Sequence, residues 1–151
     1  MNEYSRTYQV RFSDIDANRH VNNAVYIDAT ADVRYQFFAE NGFPPERFEQ
    51  LGIGPVYTKI TAQFLREVLM GETLTVTFVV AGLSPLGIRW KVRHDVLKSN
   101  GKKAVSLEME GTILDLAARK PVQPDAELMR VFQLAPRAAD FEVLPEMRRI
   151  K

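Results

Sequence analysis

One long helical pattern followed by long strand patterns constrains the fold of this chain more than any other feature of its sequence. Apolar residues recur at helical spacing from Ala24 to Asn41, with polar residues on the opposite side. The apolar face includes Val25, Ala29, Val33 and Phe37. Because no other helical pattern of this length follows, such a helix is expected to bury its apolar face against a sheet.

The ends of this helix carry their own local signals. Asn22 or Asn23 is suited to cap its start, because an asparagine side chain can accept a bond from an unpaired N–H of the first turn. Gly42 predicts its end, and Pro44-Pro45 prevents it from continuing.

Five segments alternate apolar and polar residues, which is typical of half-buried strands. They are 4–13, 56–65, 73–83, 88–96 and 103–115. Asn100-Gly101 favours a tight hairpin between the last two, and short connections between strands indicate an antiparallel sheet. Short helical patterns occur at 46–51 and 125–132, and no firm prediction is made from Leu134 onward. We therefore predict an α+β fold in which the sheet curls around the long helix.

Length and composition narrow the class of protein. A chain of 151 residues is large enough for one domain, and we expect residues 1–151 to form a single one. A net charge of +1 argues against a nucleic-acid partner or a polybasic membrane anchor. The absence of cysteine excludes disulfides, thiolate zinc sites and a cysteine nucleophile. With no apolar signal core and no membrane-length apolar run, we expect a soluble cytoplasmic protein.

Several common sites are excluded by their spacing. The segment from Gly82 to Gly87 is similar to a serine-hydrolase elbow, but its second glycine is one position late and Pro85 removes a backbone N–H. Gly52-Ile53-Gly54 lacks the third glycine of a dinucleotide-binding loop. Two histidines far apart in sequence do not fit a metal site. His94 lies on the apolar face of its strand, and we interpret it as a packed histidine with a hydrogen-bond partner.

A polar cluster lies immediately before the long helix. Asp16, Asn18 and His20 occupy alternate positions, so in an extended loop their side chains would project to one side. A carboxylate can activate water or attack a carbonyl, and a histidine can transfer a proton. The unpaired N–H groups at a helix start can stabilise a developing oxyanion. The alternative is that these residues only cap the helix and fill a turn.

The residues around this cluster carry a family resemblance. The segment from Phe12 to Tyr26 resembles the signature of hotdog-fold thioesterases, which include 4-hydroxybenzoyl-CoA thioesterase-like and acyl-ACP thioesterase-like enzymes. Two later segments resemble further motifs of this family: 64–74 and 119–124. The resemblance extends from about Tyr8 to Leu128. It implies a hotdog fold, in which a curled antiparallel sheet wraps around one long central helix.

The resemblance also implies roles for individual residues. Asp16 would be the catalytic carboxylate, as base or nucleophile, while Asn18 and His20 would position or polarise water and the thioester. Glu67 falls where acyl-ACP thioesterases have a further catalytic carboxylate, although it is equally well interpreted as a surface glutamate at a strand end. The residues predicted to bind substrate are Asn22, Asn23, Ala24, Tyr26, Arg89 and Arg93.

Arg89 and Arg93 are predicted to bind substrate because they belong to a basic row on one strand. Its principal interpretation is a solvated sheet face, and the alternative is contact with ligand phosphates through charge-assisted hydrogen bonds. Neither interpretation is excluded by the sequence.

The implied activity is hydrolysis of an acyl-CoA or acyl-carrier-protein thioester to a carboxylic acid and a thiol, without a cofactor. The resemblance further implies a homodimer or homotetramer with the site at a subunit interface. A non-catalytic protein that binds acyl or aryl thioesters and, less favoured, a hotdog hydratase or dehydratase are the alternatives. Acyl length, aromatic or aliphatic preference, and CoA or carrier protein remain open.

Overall fold

The computed structural model describes residues 3–147, and its elements run in the predicted order. The strands are β1 Tyr4–Gln9, β2 Ile53–Phe64, β3 Thr73–Leu83, β4 Arg89–Leu97, β5 Lys103–Asp115, β6 Lys120–Pro121 and β7 Arg137–Val143. The α-helices are α1 Asn23–Glu40, α2 Pro45–Leu51 and α3 Ala126–Leu134, and a short 3-10 helix spans Phe12–Asp14.

The strands form one sheet in the order β1-β3-β4-β5-β2, in which all neighbours are antiparallel. The two-residue β6 extends β5, and β7 runs parallel to β3. β1 pairs with residues 73–78 of β3 and β7 with residues 80–83, so both occupy the same edge of that strand. The antiparallel core confirms the α+β prediction.

Helix α1 is buried against the inner face of this sheet. Its buried residues recur at helical spacing and are Tyr26, Ala29, Thr30, Val33, Arg34, Phe37 and Phe38. The ring of Phe37 packs edge-to-face on Tyr4 and Phe78, with centroids 5.0 and 5.4 Å apart. Burying a side chain of this size contributes about 1.5–3 kcal/mol, so the aromatic contacts firmly anchor the helix to β1 and β3.

Both ends of α1 follow the predicted chemistry. Asn22 is the N-cap, and its side-chain oxygen accepts a 2.9 Å hydrogen bond from the backbone N–H of Ala24. Gly42 adopts a φ of +85° just beyond the helix, a conformation that favours glycine. Pro44 then precedes α2.

Two segments differ from the sequence-based predictions. β1 ends at Gln9 rather than continuing to Ser13, and the side chain of Phe12, predicted to share its apolar face, is 82% exposed. The chain turns here because Asp14, which is buried, draws residues 11–14 into a 3-10 turn through its hydrogen bonds. Residues 137–143 form β7, although their alternation is weak because this edge strand is largely exposed.

Within residues 3–147, none of the helices combines the length and the apolar character needed to cross a bilayer.

Candidate active site at the start of the central helix

The loop between β1 and α1 is a tight hairpin rather than a fully extended segment. Ile15 and Val21 form an antiparallel bridge, and the N–H of Asp16 donates to the carbonyl of His20 across 3.0 Å. Arg19, at the tip, adopts a φ of 64° in the left-handed region. This turn places positions 16 and 20 on adjoining strands of the hairpin, so the two side chains lie side by side.

Asp14 holds this loop in place and is not itself available for chemistry. Its carboxylate is buried and accepts hydrogen bonds from Tyr8 Oη at 2.9 Å and from the backbone N–H of Arg11 at 2.8 Å. The Arg11 guanidinium adds a 3.0 Å contact. Burial by itself would raise the pKa of Asp14, but the hydrogen bonds from Arg11 and Tyr8 together lower it. Asp14 is therefore an ionised structural carboxylate.

Asp16 and His20 are neighbours, but they meet across a hairpin and not along the extended loop that the sequence predicted. Asp16 Oδ1 lies 3.8 Å from His20 Nδ1, and the same oxygen accepts a 2.8 Å hydrogen bond from the backbone N–H of Asn18. Asn18 is exposed and its side chain makes no hydrogen bond within residues 3–147. The structure thus brings together the carboxylate and the imidazole, and Asn18 contributes its backbone to their geometry.

The tautomer of His20 follows from its backbone contact. Its Nδ1 lies 3.1 Å from the carbonyl oxygen of Val21, so Nδ1 carries the proton and donates it. In the neutral ring, Nε2 then has a free lone pair that can accept a proton or a hydrogen bond. His20 can serve as a base or, once protonated, as an acid.

A cavity of about 300 Å³ adjoins this pair, and we call it the motif cavity. It is lined by His20, Val21, Asn23, Tyr26, Phe64, Leu65, Arg66 and Glu67. Asp16 does not line it but contacts His20 at its edge. The predicted Glu67 therefore shares a cavity with His20, although it is also solvent-exposed. Within residues 3–147, no three His, Asp or Glu side chains are close enough to hold a metal ion.

One backbone donor at the start of α1 is free, and its residue lines the motif cavity. The N–H of Ala24 is occupied by the Asn22 side chain, and the N–H of Val25 bonds to the Asn22 carbonyl across 3.0 Å. The N–H of Asn23 has no hydrogen-bond partner within residues 3–147, and Asn23 lines the cavity. Of the predicted positions, Asn23 rather than Ala24 thus presents an N–H that a substrate oxygen could bind.

Tyr26 forms part of the apolar wall. Its ring is buried and lies 6.0 Å from that of Phe64, centroid to centroid. Burial raises the pKa of Tyr26 to about 12, and the negative charges of Glu72 and Asp16 add to this effect. At neutral pH its hydroxyl is therefore protonated and can donate a hydrogen bond.

Arg89 and Arg93 lie away from the motif cavity. Arg93 donates to Glu108 at 2.7 Å and also pairs with Asp140 of β7, and these hydrogen bonds raise its pKa. Arg89 donates to the carbonyl of Pro145 across 2.8 Å. Both side chains join β4 to neighbouring segments, and their role in substrate binding stays a prediction.

Sequence reasoning did not include four lining residues of the motif cavity: Val21, Phe64, Leu65 and Arg66. Three of them belong to the segment 64–67, which resembles a family motif and also contains the predicted Glu67. That resemblance is the signal from which these lining residues could be predicted. The guanidinium of Arg66 donates to the Lys103 carbonyl at 2.7 Å, which places it at the cavity rim.

Comparisons with known proteins bear on the fold and the family of this chain. A search of curated proteins finds no match to the sequence. Among solved structures, the chain is similar to a DHNA-CoA thioesterase from Staphylococcus aureus, at 15% identity and a TM-score of 0.80, with 88% of this chain and 90% of that chain covered. It is also similar to a 1,4-dihydroxy-2-naphthoyl-CoA thioesterase from Synechocystis, at 10% identity and a TM-score of 0.78, with 87% and 96% covered.

A third similar structure is a hypothetical protein from Staphylococcus aureus in complex with CoA, at 19% identity and a TM-score of 0.77, with 91% of this chain and 88% of that chain covered. These likenesses confirm the predicted hotdog fold. The sequence profile of the thioesterase-like superfamily matches residues 10–132, which is most of the chain. The chain therefore belongs to the thioesterase-like superfamily.

Proposed function

We propose that this protein hydrolyses acyl-CoA thioesters at the motif cavity. The observation that carries this proposal is the arrangement of Asp16 beside His20, with Glu67 in the cavity that His20 lines. Membership of the thioesterase-like superfamily supports the reaction class. The likeness to a protein solved in complex with CoA favours CoA over a carrier protein as the thiol portion.

The substrate carbonyl is proposed to bind at the start of α1. Its oxygen would accept a hydrogen bond from the free N–H of Asn23, where the positive end of the helix dipole favours developing negative charge. The buried ring of Tyr26 and the half-exposed ring of Phe64 would contact the acyl portion next to the carbonyl. Arg66, at the rim, would pair with a CoA phosphate through charge-assisted hydrogen bonds.

Hydrolysis then requires a base and an acid. In the proposed reaction the Asp16 carboxylate activates a water molecule, whose oxygen adds to the thioester carbon and whose proton moves to the carboxylate. Collapse of the resulting oxyanion breaks the carbon–sulfur bond, and the proton taken up by Asp16 passes through His20 to the departing thiolate, which restores the carboxylate. The products are a carboxylic acid and the free thiol. Direct attack by Asp16 on the same carbon is the covalent variant of this step.

Glu67 is the second candidate for the base. It lines the cavity directly, and only its backbone carbonyl is bonded within residues 3–147, to Lys98 across 2.7 Å. Its carboxylate can therefore orient toward a bound substrate. We assign Asp16 the principal role because it contacts His20, and Glu67 a supporting one in holding the water.

The test is thiol release from short, long and aromatic acyl-CoA substrates. Replacement of the base, in Asp16→Asn, is expected to lower kcat/KM by about 10² to 10⁴-fold. Asp28→Asn is the matched control, because Asp28 is an exposed carboxylate on α1 outside the cavity. Glu67→Gln, measured on the same substrates, shows how much of kcat/KM depends on the Glu67 carboxylate and how much on that of Asp16. Full turnover by Asp16→Asn on every substrate would exclude the proposed role of this residue.

A non-catalytic thioester-binding protein would behave differently in the same experiment. It would be stabilised against heat by acyl-CoA while releasing no thiol from any substrate. Hydration of an enoyl-CoA would instead identify a hydratase. We retain hydrolysis because a free imidazole nitrogen and a free backbone donor lie at one cavity.

We also propose that the protein assembles as a homodimer or a dimer of dimers. Strand β2 lies at the end of the strand order and pairs only with β5 within residues 3–147. Its exposed apolar side chains are Tyr57, Ile60 and Phe64. An edge of this kind invites pairing with a second chain. Light scattering of the purified protein tests this, and a monomer at all concentrations would exclude it.

A further inference from the structure

A second cavity, of about 230 Å³, lies between α1 and the inner face of the sheet. Its lining includes Arg34, Phe38, Tyr57, Phe78, Trp90 and Phe132. We call it the Arg34 cavity; it shares no lining residue with the motif cavity. Arg34 is eleven residues beyond Asn23, so the two cavities are separated by roughly 16 Å along the helix. They are distinct sites.

Arg34 is a buried cation without an anionic partner. Its side chain forms no ion pair within residues 3–147, and its hydrogen bonds go to His94, Tyr57 and Met109, which are all uncharged. The Nε–H of its guanidinium also has no hydrogen-bond partner among these residues. A buried charge is costly unless a counter-charge compensates it. A bound anion would supply that counter-charge.

His94 cannot supply this counter-charge and instead positions the guanidinium of Arg34. Its Nδ1 donates to the carbonyl of Thr77 across 2.7 Å, which leaves Nε2 to accept from Arg34 Nη1 at 2.9 Å. Burial first, and then the positive charge of Arg34, lower the pKa of His94 to about 3. The imidazole is therefore neutral at physiological pH and acts as a fixed acceptor.

A second unpaired donor belongs to Trp90, a residue that lines the same cavity. The indole N–H of Trp90 is buried without a hydrogen-bond partner within residues 3–147. The ring lies flat against Gly111, where an added Cβ would approach Trp90 Cζ2 to 2.2 Å. Buried donors are normally satisfied in folded proteins, so an unpaired one beside an uncompensated cation indicates a missing acceptor.

The remaining walls set the shape of the ligand. Phe38 packs edge-to-face on Phe132 with centroids 5.5 Å apart, and Phe78 is fully buried beneath them. A cavity of about 150 Å³ is known to hold a benzene ring, so this larger one has room for a ring with a short polar arm. Tyr57 is 40% exposed and forms part of the entrance.

We propose that the Arg34 cavity binds a small aryl carboxylate. The carboxylate pairs with the guanidinium of Arg34 and accepts the indole N–H of Trp90, while the aromatic ring lies among Phe38, Phe78 and Phe132. This site goes beyond the proposed hydrolysis and does not depend on it.

The protein carries its own reporter for this test, because Trp90 is the only tryptophan in the sequence. The purified protein is titrated with 3-phenylpropionate and with its neutral analogue 3-phenylpropanamide, and Trp90 fluorescence is recorded. We expect a saturable change with the acid and binding of the amide weaker by about tenfold or more. Equal binding of the two compounds, or no saturable change with the acid up to roughly 10 mM, would overturn the proposal.

Two variants locate the site. In Arg34→Met the preference for the acid over the amide should disappear, whereas in Arg66→Met, which removes the guanidinium at the motif cavity, it should persist. Loss of the preference in Arg66→Met alone would place the acid at the motif cavity and overturn the assignment. If Arg34→Met fails to fold, acid and amide binding are compared on the natural protein and on Arg66→Met. That comparison still decides whether the acid binds away from the motif cavity.

Discussion

Nη1 of Arg34 lies 2.9 Å from Nε2 of His94, and this hydrogen bond connects α1 to β4 in the protein interior. The contact explains how an arginine on the inner face of the helix is oriented without a carboxylate. It also couples the fold to pH, because protonated His94 could no longer accept the hydrogen bond and would place a second cation beside the first.

Stability should therefore fall as pH decreases below 6.5. The folded pKa of His94, about 3, lies below its ordinary value of 6.5, so between these values the unfolded chain binds a proton that the folded one does not. The free energy of unfolding then rises with pH, by up to about 1.4 kcal/mol per pH unit. Urea denaturation between about pH 5 and 6.5, above the range in which carboxylates titrate, should show this slope, and His94→Gln should remove it.

His20→Gln provides the matched control, because His20 is the other histidine and is partly exposed at the motif cavity. That variant should retain the slope of the natural protein. A slope that is unchanged in His94→Gln would contradict the assignment of a neutral, buried imidazole.

Asp14 should be important for stability rather than for the reaction. Asp14→Asn removes the ionised acceptor of the Tyr8 hydroxyl and the Arg11 guanidinium and is expected to cost about 1.5–3 kcal/mol of unfolding free energy. Because the pKa of Asp14 is lowered from its ordinary value of 3.8, this contribution is present at neutral pH and is lost as pH falls below that value. Asp28→Asn, at an exposed position, should leave the urea midpoint nearly unchanged.

Alanine variants of Asn22 and Asn23 should differ in stability, because only Asn22 caps the helix start. Asn22→Ala removes the side-chain acceptor of the Ala24 N–H and is expected to cost about 1 kcal/mol of stability. Asn23→Ala removes no cap and should change stability by less than about 0.5 kcal/mol. Thermal unfolding of both variants measures the difference. A larger loss in Asn23→Ala would show that the cap has been assigned to the wrong residue.

Gly111 is required by the close approach of its neighbours. A Cβ at this position would lie 2.1 Å from the Val56 carbonyl oxygen and 2.2 Å from the Trp90 ring, and neither can move without disturbing the sheet. Gly111→Ala is expected to destabilise the protein by at least about 2 kcal/mol and to alter Trp90 fluorescence. Gly54→Ala is the control, because its nearest contact would be an ordinary 3.6 Å to Leu116. Similar melting temperatures for the two variants would contradict this account.

Elements with strong local signals were predictable from the sequence. Thr73–Leu83 and Lys103–Asp115 have the predicted bounds, because alternation marks a strand wherever one face is buried. The prediction of His94 as a packed histidine with a partner is confirmed. The β7 strand was not predicted, since an exposed edge strand lacks that alternation.

The sequence by itself predicted the helix, a cap by Asn22 or Asn23 and the closeness of Asp16 to His20, because each depends on residues close together in the chain. Only the tertiary structure decided which residues from distant parts of the chain lie near them. The strand order β1-β3-β4-β5-β2 and the segment after β2 bring Glu67 to the cavity of His20, and the same folding buries Arg34 with no acidic partner among residues 3–147. Periodicity specifies which face of an element is buried, whereas the partner on the other side depends on long-range pairing that no local pattern encodes.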